Sequence, residues 1–551
     1  MAGSFAPLHL EDNISIPIFM TKYNPDGVPA SKVIHVDTIM GKELTYGGLR
    51  TEAARSAWGF QNKLGLKEGN ILLAMAPNSS DFVLLAHSVW WAGGTFSPLN
   101  SASTTKDIVH VLKLIHPTHV CVAKEHLGCM QSAIRECGLY PTGGPTIITI
   151  LTRVAEYPLF PEDIAGRTSK ESIPPYDLNG KSNKDVCAVI GFSSGTTGAM
   201  KGVMLSHRNL CINVMQCRAS LPSLSNSEKR EVFLPPYCHI YGLAVAVLNN
   251  VWLGGFLCAM PAFDLKVFCE LNAKYKTNTM HIVPPIALLL ASSEITKHYD
   301  LSSIRLIVIA AAPLKETLQK QLKSRLPEAT VIQAFGTTET SPAITHQHPK
   351  DEKYIGSVGH VICETEVRLV DPNTLKDVAP SEPGELWVRG PQVMMGYIRN
   401  PEATKNSFQG EWYRTGDIMI KDEHDNFYVT DRLKEMIKYK GFQVSPSELE
   451  DILLQHPDVI DAAVCGFYDD KQATEVPLAY VSLKAGHLNK SQHQKQAILD
   501  GVRKWMDGKV AGYKRLRGGV HHLQALPKTA SGKILRRELP VKIKERQGSK
   551  L

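Results

Sequence analysis

Apolar residues recur at helical spacing at Leu49, Ala53, Ala57, Phe60 and Leu64, and a nearly unbroken apolar run follows at 70–76. The first pattern predicts a helix with one buried stripe, the second a strand covered on both faces. A second helix over 82–91 and an extended segment at 95–98 complete a strand–helix–strand unit. The pattern returns as a buried strand at 305–312, a helix at 315–326 and a strand at 330–334. Such units build an α/β fold, in which ligands gather beyond the carboxyl ends of parallel strands.

After Asp417 the pattern changes to short strands and turns, with a polar turn at 422–426 and a charged connection at 431–434. The remaining stretch predicts a helix over 447–455 and strands around 462–467 and 478–483, enough for a small domain. The expected division is 1–430, a large domain of several subdomains with mixed and parallel sheets, and 431–551, a small α+β domain. The apolar run at 243–263 is interrupted by Asn249 and Asn250 and contains Gly254, Gly255 and Pro261. It reads as a buried helix and strand, so no membrane span is expected.

Composition adds little beyond this. The 551 residues are 43% hydrophobic and 21% charged, with a net charge of +7. That charge is too dilute for a nucleic-acid binder, and small anions are the expected partners. Eleven cysteines without a CxxC pair predict reduced, mostly buried thiols. The pairs His346/His348 and His521/His522 lack cysteine or acidic companions and read as surface histidines.

The chemistry is concentrated first at 192–202, Phe-Ser-Ser-Gly-Thr-Thr-Gly-Ala-Met-Lys-Gly, directly after the strand at 186–191. Hydroxyls of Ser193, Ser194, Thr196 and Thr197, backbone N–H groups near Gly195 and the Lys201 cation suit phosphate oxygens. The spacing is not that of a Walker A loop. The segment resembles the phosphate-binding signature of the adenylate-forming superfamily, which includes acyl-CoA synthetases, 4-coumarate–CoA ligases, beetle luciferases and adenylation domains. Further resemblances follow in that family's order: Ala310–Leu314, Phe335-Gly336-Thr337-Thr338-Glu339, Gly384-Glu385-Leu386, Tyr413-Arg414-Thr415-Gly416-Asp417, Asp431-Arg432-Leu433-Lys434, Lys438–Gln443 and 527–533.

The resemblance implies an ATP-dependent acid–CoA ligase that forms an acyl-adenylate and passes the acyl group to coenzyme A. Glu339 would hold Mg²⁺ and Thr338 the α-phosphate. Phe335, where the family commonly has tyrosine, Gly336 and Ala312 would line the adenine. Asp417 would accept from both ribose hydroxyls, Arg432 would donate to ribose or phosphate, and Lys434 would also contact the nucleotide. Lys533 would stabilise the adenylation transition state; outside this context it would belong to a solvated basic tail with Lys528, Arg536 and Arg537. Lys438 and Gln443 would assist catalysis, and Lys440 and Gly441 would line the CoA entry. In the segment at 235–242, His239 would lie near the carboxylate and Tyr241 along the acyl body, with Ala311 and Ser341 completing a mainly apolar pocket.

Different use of Lys533 and the Lys440 segment in the two half-reactions implies a mobile small domain, hinged near Asp431. A luciferase-like oxygenase, a free-standing adenylating enzyme serving a carrier protein and a silent nucleotide-binding scaffold are the alternatives. Ser549-Lys550-Leu551 matches a peroxisomal address, which predicts an import receptor as partner and the peroxisomal matrix as location.

Overall fold

The computed structural model describes residues 8–138, 144–193, 200–222, 225–310, 314, 316–433, 435–439, 442–469, 472, 474–487, 490–528 and 533–539; for Arg432, Lys438, Phe442, Gln443 and Arg537 it describes the backbone only. Among these residues two large, mainly parallel sheets dominate. One has eight strands, with Cys187–Ser193 parallel to Thr95–Pro98 and antiparallel to Lys201–Ser206. The other has nine, in which Arg230–Phe233, Thr279–Ile282, Leu306–Ile309 and Thr330–Gly336 run parallel in adjacent positions.

The helix Ser80–Trp91 is buried along its whole length and touches strands of both sheets. Its sequence explains this, since Phe82, Val83, Leu84, Leu85, Val89, Trp90 and Trp91 leave no polar stripe. Ser79 starts it by accepting from the Phe82 N–H. The run at 243–263 is a helical segment ending at Leu253, a left-handed Gly254 and the strand Phe256–Ala259. The buried Asn250 that interrupts its hydropathy donates to the Ile34 carbonyl at 2.9 Å. Among the described residues no helix is long and apolar enough to cross a membrane.

A third, antiparallel sheet contains Glu366–Val370, Gly384–Arg389, Trp412–Lys421 and Phe427–Arg432. Asp431 and Arg432 therefore end a strand, and the connection expected at 431–434 begins only at Leu433. Beyond it lie the hairpin Ile437–Tyr439/Phe442–Val444, helices Pro446–Leu453 and Gln492–Asp507, and the sheet Val459–Asp469/Thr474–Leu483/Val520–His522. These elements share a core of their own, with Val444, Leu449, Val464, Val481, Val502 and Leu516 buried together. The architecture is α/β, a large N-terminal part with mixed and parallel sheets followed by a smaller C-terminal one.

Two readings of isolated residues change. His346 is not a surface histidine: burial lowers its pKa to about 4, and its Nδ1 has no hydrogen-bond partner among the described residues. His521 and His522 sit half-buried on a strand. The eleven cysteines are free thiols, and none is exposed.

Candidate active site

The strand Cys187–Ser193 ends where Ser193 lies directly opposite Lys201 on the antiparallel neighbour, so the two flank the glycine-rich segment in sequence. Gly191 allows a second chain to approach: a Cβ there would lie 3.2 Å from the Thr338 methyl group. Thr338 and Glu339 belong to a short 3-10 turn following the strand Thr330–Gly336. The turn is tight because a Cβ at Gly336 would lie 1.9 Å from the Pro342 carbonyl oxygen, a clash no side chain tolerates. The Thr337 N–H donates to that same oxygen at 3.0 Å.

Glu339 is buried, at 8% exposure. The Tyr397 hydroxyl donates to its Oε1 at 2.9 Å, and the Met394 N–H donates to its backbone carbonyl at 2.8 Å. Lys201 Nζ stands over the Tyr397 ring, 4.6 Å from its centre. Lys201, Tyr397 and Glu339 thus form one corner from three strands or turns. Tyr413 is buried beside it, and desolvation together with the Glu339 charge pushes both phenols above their ordinary range. They stay neutral donors at physiological pH.

Asp417, 3% exposed, lies directly opposite Arg432 in the antiparallel pair of Trp412–Lys421 and Phe427–Arg432. Residues paired in this way share a sheet face. The strand just before Asp417 is shaped by Gly416 at φ +74° and by the Thr415 hydroxyl, which donates to the Leu386 carbonyl. The neighbouring Arg414 donates to Glu385, whose Oε2 also accepts from Trp387 Nε1 at 2.8 Å. Phe335 is half-buried against the core under this third sheet.

On the acyl side, burial keeps His239 neutral, and its Nε2 lies 3.4 Å from the Asn100 amide nitrogen. Asn78 anchors the preceding segment, donating to the Leu234, Pro235 and Met260 carbonyls and accepting from the Tyr237 N–H. The Tyr241 ring lies 5.9 Å from His281 and 6.5 Å from Phe233. Its hydroxyl is buried without a hydrogen-bond partner among the described residues. Ser341 departs from expectation: it is 1% exposed, and its hydroxyl donates to the Gln392 carbonyl at 2.8 Å, so its side chain faces protein. The wall is also less apolar than the sequence implied. Glu231, fully buried, pairs with Lys229 at 2.5 Å and with His281 Nδ1 at 2.6 Å.

In the C-terminal part Lys438 and Gln443 are directly opposite in their hairpin. Lys533 is half-buried, next to Ile534, which forms an isolated antiparallel bridge with Lys528. Ser194, Gly195, Thr196, Thr197, Ala311, Ala312, Lys434, Lys440 and Gly441 lie outside the described residues. Tyr397 escaped sequence reading because Gly396-Tyr397 carries no charge and no recognisable spacing. Tyr413 stood in a quoted motif, but only its place beside Glu339 gives it a role.

A lysine and a buried carboxylate that converge on Tyr397, together with the cross-strand Asp417/Arg432 pair of the antiparallel sheet, suit a nucleoside phosphate. The AMP-binding enzyme profile matches residues 25–398, and the profile of the AMP-binding enzyme C-terminal domain matches 448–533. The chain belongs to the AMP-binding enzyme family.

Among relatives of this AMP-binding enzyme, 4-coumarate–CoA ligase-like 9 of Arabidopsis thaliana is 34% identical over 92% of this chain and 86% of its own. A 4-coumarate–CoA ligase 1 of Narcissus pseudonarcissus is 34% identical over 92% and 90%, and peroxisomal OPC-8:0-CoA ligase 1 of Arabidopsis thaliana is 32% identical over 97% and 94%. Among solved structures, ATP-bound MatB from Rhodopseudomonas palustris matches with a TM-score of 0.82 at 24% identity, over 97% of this chain and 99% of that one. It shows the fold. The chain is an AMP-forming acid–CoA ligase.

Proposed function

We propose that this ligase activates a predominantly apolar carboxylate of aromatic or medium-chain dimensions, with 1–430 binding nucleotide and acid and 431–551 acting as the mobile domain. The carrying observation is the Lys201–Tyr397–Glu339 corner, where a cation and a buried carboxylate converge next to the glycine-rich segment. A single carboxylate there fits Mg²⁺, which keeps most of its ligands as water and phosphate oxygens. When bound, that ion would offset charge on ATP; Glu339 would hold it and Tyr397 would fix the carboxylate's orientation. Lys201 would bind phosphate oxygen, Asp417 and Arg432 the ribose, and His239 would sit by the reacting carboxylate. Lys533 would serve adenylation, with Lys438, Gln443, Lys440 and Gly441 serving thioester formation.

The names of the relatives support an acid larger than acetate, 4-coumarate being aromatic. In a panel of aryl, arylpropenoic, medium-chain and small acids with ATP, Mg²⁺ and CoA, thioester should form best with the apolar acids. Preference for acetate or a polar amino acid would refute the pocket. With the best acid, Lys533→Ala should lower ATP–pyrophosphate exchange by about a hundredfold or more while leaving thioester formation from supplied acyl-AMP intact. Gly441→Trp should do the reverse. Equal loss of both half-reactions in both folded variants would contradict the division of labour.

Peroxisomal location is proposed from Ser549-Lys550-Leu551 and from the one relative named peroxisomal. An amino-terminal fluorescent fusion should be punctate with a peroxisomal marker, and removal of the tripeptide should disperse it. A diffuse intact fusion would end the proposal.

A further inference from the structure

Arg536 stands in a basic stretch with Lys528, Lys533 and Arg537, yet its side chain is only 14% exposed. Nη2 meets both Glu450 oxygens at 2.8 Å, Nη1 pairs with Glu435, and Nε donates to the Val464 carbonyl at 3.0 Å. One planar guanidinium thus ties together the helix Pro446–Leu453, the strand Val459–Asp469 and the connection leaving the strand Phe427–Arg432. Arg536 also lies three residues beyond Lys533. Lys533 lies beside the bridge between Lys528 and Ile534, and the Leu535 N–H donates to the Pro527 carbonyl at 2.8 Å. Lys528 pairs with Asp461 at 2.6 Å, a pair about one-third exposed and weakened by water. The buried fork is therefore the firmer anchor.

We infer that Arg536 is a positioning residue for Lys533, and that the Glu435–Arg536–Glu450 clamp fixes the segment 533–536 to the connection entering the C-terminal part. This rests on the reading of Lys533 as the adenylation lysine. The groups facing Glu450 are Arg536 from the tail, the Val464 N–H and the Cys465 thiol from the neighbouring strand, and Asp431 from the end of Phe427–Arg432. Burial pushes Glu450 up to about 7 against the pull of Arg536 and Val464, and Asp431 adds repulsion. The Cys465 thiol, pushed up to about 12, stays neutral. Above neutral pH the carboxylate gives Arg536 its full bidentate partner; below it, a protonated Glu450 weakens the clamp.

The test measures ATP–pyrophosphate exchange with an accepted acid, and thioester formation from supplied acyl-AMP, on the full chain between pH 6 and 8.5. Arg536→Lys keeps the charge but loses the fork. It should lower the exchange kcat by about tenfold to a hundredfold, with the acid's KM and the thioester step within about twofold of wild type. The isosteric Glu450→Gln removes the titration, so the wild-type to variant ratio of exchange rates should climb through neutral pH. Equal loss of both half-reactions in Arg536→Lys, or a ratio flat with pH in Glu450→Gln, would overturn the clamp. Lys533→Ala in parallel separates the two failures: retained exchange there would overturn the Lys533 assignment itself.

Discussion

Two buried carboxylates, one in each part of the chain, meet cations under opposite terms. Glu231 lies on the acyl side of the nine-stranded sheet, fully buried between Lys229 and His281. Burial works against its charge, yet the two neighbours hold its pKa below the ordinary value. Glu450 has its partner Arg536 at 2.8 Å, but there burial wins and the pKa rises to about 7. The difference lies in the surroundings. Lys229 and His281 both serve Glu231, whereas Arg536 is divided between Glu450 and Glu435 while Asp431 adds like charge nearby. A carboxylate with two partners remains a permanent charge; one that shares its partner becomes titratable near physiological pH.

The comparison breaks most visibly at Lys229. Lys229→Met leaves Glu231 buried with a largely neutral imidazole, and removal of one partner from a buried pair costs about 3–5 kcal/mol. A clear fall in the urea midpoint of the N-terminal part is expected. The double variant Lys229→Met/Glu231→Leu should recover most of it, because an apolar pair leaves no uncompensated charge. A Lys229→Met protein as stable as wild type would show that Glu231 does not depend on Lys229.

Much of this was legible in the sequence, for reasons that differ by site. Alternating helix and strand patterns yield the α/β architecture because burial on both sheet faces leaves unbroken apolar runs such as 70–76. Glu339, Asp417 and Lys201 sit in motifs whose spacing reflects local turns, so chain order alone brings them into view. Tyr397 was invisible because its partner Glu339 is 58 residues away and the contact exists only in the folded sheet. The role of Arg536 was not legible for a related reason. Its sequence neighbours Lys533 and Arg537 suggest a solvated tail, while its real partners, Glu435 and Glu450, lie 101 and 86 residues earlier. Charge runs report local composition, and whether they are solvated is decided by tertiary contact. The Glu231 cluster follows the same rule, since the run Lys-Arg-Glu-Val-Phe at 229–233 does not announce that its acidic residue is buried beside His281.

A smaller effect sharpens the contrast by its sign. For Glu450 the folded pKa lies above the ordinary value of 4.5, so between about pH 4.5 and 7 the folded protein holds a proton that the unfolded chain has released. Stability contributed by the protonated form is full below that window and declines as pH rises through it. Glu231 behaves oppositely: its folded pKa is lowered, so its stabilisation is present above 4.5 and declines as pH falls through the folded value. Glu450→Gln keeps the shape and deletes the titration. Its melting temperature relative to wild type should therefore become more favourable from pH 5.5 to pH 8, whereas Glu231→Gln should be destabilised throughout that range with little change in the difference. Differential scanning fluorimetry of the three proteins across the range decides it. A Glu450→Gln difference that is constant with pH, or that grows more unfavourable toward pH 8, would mean that Arg536 holds Glu450 charged as firmly as Lys229 and His281 hold Glu231.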